Sequence, residues 1–384
     1  PIDLADEVYI LGNPPYLGSR NQDEEQKSDM CFVFKKDYKN LDYVSCWFFL
    51  GARYIEGYNS RIALVSTNSI CQGEQVALTW PRILNDKIEI GFAHQSFKWT
   101  NNAKSNAGVT VIIVGLRNIT NNAKFIFIDN LKKIANNINS YLVDSSNYYI
   151  ERRNKAISKL PHMPKGNMPY DGGNLILNTA EKNKLISENP NSLKFIKKLY
   201  GAKEFIENTE KWCLWIRDQD LKEAVKIKSI DDRIKKVQEM RLSSNDEGAH
   251  KLAERPHQFR EINETTTNSV VIPLTTSERR EYIPIGFVGE DVILTNAVSV
   301  IYDSEAWIFG LLNSKLHVLW VKAVGGQLET RIRYSSVLCY NTFPFPTITD
   351  KQKQQINLHV FEVLDERAKY PEKTLAQLYD PTKM

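Results

Sequence analysis

The chain has 384 residues, of which 42% are apolar and 25% charged, and a net charge of +4. At roughly 150 residues per domain this length suggests two or three domains, and the composition excludes a disordered chain. The longest apolar run near the middle, Val111–Leu116, is far too short to span a membrane, and no leader of charged then apolar residues opens the sequence. Five scattered cysteines (Cys31, Cys46, Cys71, Cys213 and Cys339) form no C-x-x-C pair. They point to reduced thiols in a cytoplasm rather than to disulfides or zinc, and no metal is expected. Residues 1–150 carry 15 basic and 15 acidic side chains, residues 151–345 carry 29 and 25, and residues 346–384 carry 6 and 6. All the excess positive charge therefore lies in the middle-to-late part, a weak pointer to an anionic partner.

In chain order, Val8–Leu11 reads as a short strand ending in Gly12, and Tyr43–Ile55 as a buried helix. Arg61–Ser66 reads as a strand, Gly73–Leu84 as a helix, and Ile88–Ala93, Val109–Gly115 and Phe125–Ile128 as strands. Strands separated by helix-length segments predict an α/β layer with a largely parallel sheet. Pro161, Pro164, Gly166, Pro169, Gly172 and Gly173 mark residues 151–180 as a linker or an irregular connection. Leu221–Met240 has the spacing of an amphipathic surface helix. Val270–Leu274, Ile283–Val288, Val292–Ile301 and Arg331–Tyr334 read as strands of a mixed α and β domain. Ile356, Val360, Val363 and Leu364 predict a helix in the tail. The expected domains are 1–150, 151–345 and 346–384.

The sharpest local signal is Asn13-Pro14-Pro15-Tyr16, directly after the first strand. The carboxyl edge of a sheet is where α/β folds build ligand sites. The bland alternative is a proline-stiffened turn. The pattern suits one chemistry. An adenine amino group is a poor nucleophile because its lone pair is delocalised into the ring. Two acceptors on its N–H bonds draw the nitrogen toward a tetrahedral state and free that pair. Asn13 offers a side-chain carbonyl. Pro14 offers a main-chain carbonyl, and Pro15 holds its predecessor extended. Tyr16 supplies a π face for a base taken out of the duplex. Direct displacement on a methyl sulfonium then needs no metal and no strong base.

Asn-Pro-Pro-Tyr is the motif of amino-directed methyltransferases that use S-adenosylmethionine. The chain resembles one branch of these, the MmeI-like type IIG restriction–modification enzymes. The matching stretches are GNPPYLGSR (12–20), LDYV (41–44), VSTNSICQGEQV (65–76), SFKWTNNAKSNAGVTVIIVG (96–115), LAERPHQFRE (252–261), TTSERREYIPIGF (275–287), AVGGQLETRIRYS (323–335) and YNTFPFP (340–346). The resemblance implies the later part of an adenine-specific DNA methyltransferase domain with a partial Rossmann-like sheet. A mixed α+β target-recognition domain and the start of a helical C-terminal domain follow. It implies double-stranded DNA as partner and S-adenosylmethionine as cofactor, although the family's glycine-rich cofactor loop is not seen in this chain. No nuclease motif is seen either, and Glu25-Gln26-Lys27 reads as a surface triplet. The first residue is Pro1, not Met, so the expectation is a piece of a longer protein that is inactive by itself.

The resemblance also suggests roles for other residues. Asn13, Pro14, Pro15 and Tyr16 are the catalytic candidates. Phe97 or Trp99 would stack on the flipped base opposite Tyr16, the alternative being two core aromatics. In Glu329-x-Arg331-x-Arg333 alternation places three side chains on one face, where Glu329 can accept from cytosine and Arg331 can donate to guanine. The plain alternative is a surface ion pair. Asn296 is a further base-reading candidate. Arg255, His257, Arg260, Arg279 and Arg280 are candidates for phosphate or base contacts, or for purely structural roles. Two other functions compete. Protein-glutamine methyltransferases share Asn-Pro-Pro-Tyr, because a primary amide has the same unreactive nitrogen. They end soon after the catalytic domain, whereas over 200 residues follow here. A non-catalytic DNA-specificity module is the other.

Overall fold

In the computed structural model, residues 6–98, 110–328 and 330–382 are described, except for the side chain of Leu328. The first strand, β1 (Val8–Gly12), alternates as its sequence requires. Ile10 packs on the core, while Tyr9 and Leu11 point to the opposite, exposed face. It pairs in parallel with β2 (Ser60–Thr67). Between them lie α1 (Glu24–Phe34) and α2 (Ser45–Ile55). Asp23 caps α1 in a reciprocal capping box with Gln26, so the Glu25-Gln26-Lys27 triplet is the start of a helix that the sequence reading did not foresee. One face of α2, with Phe48, Ala52 and Ile55, is buried against the sheet. Gly51 allows this close approach, since a Cβ there would collide with the Ile62 side chain.

The 3-10 turn Asn68–Cys71 follows β2 and leads to α3 (Glu74–Thr79). Then come β3 (Ile88–Lys98), β4 (Thr110–Asn118), β5 (Lys124–Ile128) and β6 (Leu131–Ala135). The six strands lie in the order β1-β2-β4-β3-β5-β6. The expectation of a largely parallel sheet needs correction. Only β1–β2 and β3–β5 are parallel, because β4 runs antiparallel to both β2 and β3. Only eleven residues, 99–109, separate β3 from β4, short of the dozen or more that a parallel crossover needs. The core between α2, α3 and the sheet includes Phe48, Trp80, Ile90, Ile112, Val114 and Leu116.

The chain forms two compact units. The first holds residues 1–154, 320–333 and 337–342, and the second residues 155–319, 334–336 and 343–384. The second unit contains two small sheets. One has Val292–Leu294, Ile196–Tyr200, Trp212–Leu214 and Ile176–Leu177 in that order. The other has Gly286–Val288, Ser269–Pro273 and Val298–Ile301. The predicted strand Val292–Ile301 is therefore two strands in different sheets. Polar Thr295 and Asn296 interrupt its apolar pattern, and there the backbone leaves one partner for the other: Thr295 N–H donates to Tyr200 O and Asn296 N–H to Asn167 O. The predicted surface helix over 221–240 is also two, Leu221–Ala224 and Lys228–Leu242, and the longer one buries Ile230, Ile234, Val237 and Arg241. Residues 151–180 are irregular yet well packed, with Met163, Asn167 and Asp171 buried. The helix Asp350–Ala368 fills about half of the tail, and Val360 is buried in it. Among the described residues no helix is long and apolar enough to cross a membrane.

Candidate functional site

Asn13 follows β1 at its carboxyl end and is exposed. Pro14 is buried, Pro15 exposed, and Tyr16 half-buried against the sheet core. Neither the Asn13 side chain nor the Pro14 carbonyl has a hydrogen-bond partner among the described residues. The residue after the motif is different. Leu17 N–H donates to Asp42 Oδ1 at 2.9 Å, and Leu17 O accepts from Tyr43 N–H and Gln22 Nε2, each at 3.0 Å. Asp42 also receives Ser69 Oγ, at 3.3 Å. Burial raises the pKa of Asp42, opposed by the N–H groups of Val44 and Leu17 and by the Ser69 hydroxyl. Neither Asp42 nor Gln22 was foreseen from the sequence, although Asp42 lies inside the matching LDYV stretch.

Phe97 lies near the end of β3, half-buried, its ring centroid 4.6 Å from that of His94. Three strand spacings separate β3 from β1, which is roughly 14 Å across the sheet. Trp99 lies outside the described residues.

The strands Gly326–Leu328 and Arg331–Arg333 pair as an antiparallel hairpin of the first unit, with Gln327 opposite Ile332. Arg331 and Arg333 are exposed on one face, and Ile332 between them is buried. Glu329 lies outside the described residues. The hairpin rests on the segment after β2. Asn68 Nδ2 donates to Gln327 Oε1 at 3.1 Å, and Gln72 Nε2 donates to Asn68 Oδ1 at 3.2 Å. Gly73 and Gly326 touch backbone to backbone: a Cβ on Gly73, whose φ is +59°, would lie 3.3 Å from Gly326 Cα. Beside this contact opens a cleft of about 780 Å³, lined among others by Asn68, Gln72, Gln95, Tyr141 and Lys322.

The remaining candidates lie in the second unit and are not gathered into one cluster. Arg255 donates to Gln258 Oε1 at 3.2 Å, to Phe259 O at 2.9 Å and to Arg260 O. His257 is buried, with Nε2 2.9 Å from Asp218 Oδ1. Arg260 is exposed beside Glu261, at 2.6 Å. Arg279 lies 3.6 Å from Asp380. Arg280 donates to Thr276 Oγ1 at 3.0 Å, and burial lowers its pKa. Asn296 is exposed in the turn between the two sheets rather than within a strand. Among the described residues no group of three or more His, Cys, Asp or Glu could hold a metal ion. Nor does an acidic, glycine-rich loop follow any described strand, so no cofactor pocket is assigned to these residues.

Three family models match consecutive parts of the chain: the MmeI DNA-methyltransferase domain over residues 2–128, the MmeI target recognition domain over 144–347 and the MmeI C-terminal domain over 348–384. The chain belongs to the MmeI family. Two relatives illustrate the match. DNA methyltransferase A of Bacillus subtilis (strain 168) is 44% identical over 387 residues, covering 100% of this chain and 44% of that protein. A solved structure of the Type IIL restriction–modification enzyme MmeI in complex with DNA superposes with a TM-score of 0.92 at 43% identity. That match covers 98% of this chain and 52% of the other. The chain thus spans about half the length of these relatives. Residues 320–333 fall inside the MmeI target recognition match, yet they fold with the strands that carry Asn13.

Proposed function

We propose that this chain carries the methyl-accepting motif and the sequence-reading surface of a site-specific DNA methyltransferase acting on adenine N6, within a restriction–modification enzyme. The observation that carries the reading is the pair of acceptors left open after β1. Among the described residues the Asn13 side-chain carbonyl and the Pro14 main-chain carbonyl have no partner, while the residue just beyond Tyr16, Leu17, is tied at both its N–H and its C=O. Two free acceptors side by side suit the two N–H bonds of one amino group. Accepting from both withdraws them from the ring plane and exposes the nitrogen lone pair. Tyr16 then offers its ring to the face of the extruded base. Phe97 is the candidate for the opposite face, though its strand stands three places away. S-adenosylmethionine supplies an electrophilic methyl group in this chemistry.

Base choice is assigned to the hairpin, where Arg331 and Arg333 face outward together and Glu329 continues the same alternation in sequence. The target recognition match over 144–347 supports a DNA substrate over the protein-glutamine alternative. A solvated cytoplasmic setting fits both the substrate and the free cysteines.

The test is Asn13→Ala in the full-length enzyme that carries this chain. Adenine methylation should fall by about a hundredfold or more, the usual loss when one preorganised hydrogen-bond partner of a reacting group is removed. Site binding in a gel-shift assay should persist. Parallel loss of binding and methylation would refute the role given to Asn13.

A further inference from the structure

Two prolines stiffen the front of the motif loop, because each fixes its own φ near −65°. The back of the loop, at Tyr16 and Leu17, has no such restraint of its own. It is held from outside. Asp42 Oδ1 accepts from Leu17 N–H at 2.9 Å and from Val44 N–H at 3.3 Å, and Oδ2 accepts from Ser69 Oγ at 3.3 Å. Asp42 N–H in turn donates to Gln75 Oε1 at 3.1 Å. Gln22 Nε2 bridges Leu17 O and Leu41 O, each at 3.0 Å. Asp42 and Gln22 are only 7% and 6% exposed.

A buried carboxylate is an expensive way to cap a turn. No basic side chain pairs with Asp42 among its recorded partners, all of which are neutral donors. What this carboxylate gains is reach: it joins the peptide after the motif, the start of α2 and the turn after β2.

We propose that Asp42, with Gln22, is a positioning pair that fixes Leu17 at its N–H and its C=O and so aims the Asn13 and Pro14 carbonyls at one nitrogen. This rests on the methyl-transfer reading of the motif and deepens it. With the front of the loop stiffened by proline and the back clamped by Asp42 and Gln22, the acceptors are preorganised before a base arrives. Loosening the back lets them swing, which costs rate without costing duplex affinity.

The experiment compares Asp42→Ala, Asp42→Asn, Gln22→Ala and Asn13→Ala in the full-length enzyme, reading kcat, KM for DNA, duplex affinity and melting temperature. The fluorescence of 2-aminopurine placed at the target adenine is read as well. Asp42→Ala should lower kcat about tenfold to a hundredfold with duplex affinity unchanged. The 2-aminopurine signal should rise, because the extruded base sits less firmly on Tyr16. Asp42→Asn keeps an acceptor for Leu17 N–H and should return to within about tenfold of native kcat. Gln22→Ala should lower kcat in the same direction as Asp42→Ala. If Asp42→Ala does not fold, the Asn and Gln22 variants carry the test.

A native kcat in folded Asp42→Ala, or in both Asp42→Asn and Gln22→Ala where Asp42→Ala is unfolded, would overturn the proposal. So would kcat and duplex affinity falling together. Asn13→Ala separates the two readings. Methylation that survives it refutes the motif assignment itself, whereas its loss beside an unaffected Asp42→Ala refutes only the positioning pair.

Discussion

Arg241 offers a sharp test of how the second unit is held together. It is fully buried at the end of the helix Lys228–Leu242 and has no carboxylate among its hydrogen-bond partners. Nε donates to Tyr170 O at 3.0 Å. Nη1 donates to Leu252 O at 2.7 Å and Arg255 O at 3.0 Å, and Nη2 to Gln258 O at 2.7 Å and Pro169 O at 3.4 Å. One guanidinium thus serves five carbonyls, three of them in or beside the LAERPHQFRE stretch. Burial lowers its pKa, yet an arginine stays charged. Five charge-assisted bonds at about 1.5–3 kcal/mol each would exceed 7 kcal/mol, but they share one group whose desolvation costs several kcal/mol. We expect Arg241→Ala to cost about 3–5 kcal/mol. Arg241→Lys has three donors for five acceptors and should cost about 2 kcal/mol. Urea unfolding followed by Trp215 fluorescence reports on this loop, since Trp215 packs edge-on against Phe259 at 5.6 Å. Hydrogen exchange of amides 255–260 gives the local counterpart. A loss under about 1 kcal/mol for Arg241→Ala would refute this account of the arginine as the clamp of the loop.

Two further predictions follow from the same unit and from the hairpin. Acid should destabilise the second unit in two steps. Burial lowers the pKa of His317 to about 3, so its stabilising contribution is complete above the ordinary value of 6.5 and is lost as pH falls toward 3. Burial would raise the pKa of Glu264, but Arg217, Trp215 and Lys197 outweigh it and lower it to about 2, so its contribution is lost between 4.5 and 2. Thermal melts from pH 7 to pH 3 should show the first loss flattened in His317→Gln, and an unchanged slope would contradict this assignment. For base choice, Glu329→Lys combined with Arg331→Asp in the full-length enzyme should exchange a preferred C·G pair for G·C. Each good bidentate contact discriminates about tenfold to a hundredfold, and methylation-site sequencing reads the result. An unchanged site in an active double variant would mean that the two residues form a surface ion pair only.

The placement of Asn13–Tyr16 at the end of a strand was legible because a short apolar run and the prolines after it are local signals. Leu17's partners were not, since Asp42 lies 25 positions along the chain and Gln22 turns inward only once α1 and α2 are placed. Arg241 was hidden for the same reason. In sequence it ends a helix rich in charge, and only carbonyls from as far back as Pro169 reveal that it is buried. The β-branched residues over 292–301 announced strands correctly, but the polar pair Thr295-Asn296, where the chain changes partner, was read as part of one strand. Of the hairpin, the outward pairing of Arg331 and Arg333 follows from alternation. Its seat on Gly73 does not, because that contact is backbone against backbone and leaves no side-chain pattern to read.

That seat constrains heredity. A recombination event with a crossover between residues 128 and 144 would inherit the segment that matches the MmeI DNA-methyltransferase domain from one parent and the segment that matches its target recognition domain from another. Gly73 and Gly326 would then come from different parents, although they must meet without a side chain at 73. A left-handed φ of +59° at Gly73 penalises most other residues even before the contact is made. A side chain at position 326 would meet nothing within 4 Å, so the seat asks for glycine at 73 alone and accepts other residues at 326 from the incoming parent. Single replacements at the exposed Arg331 and Arg333 leave the seat untouched. The seat therefore does not bar exchange of the segment that carries the hairpin, provided that the segment receiving it keeps Gly73.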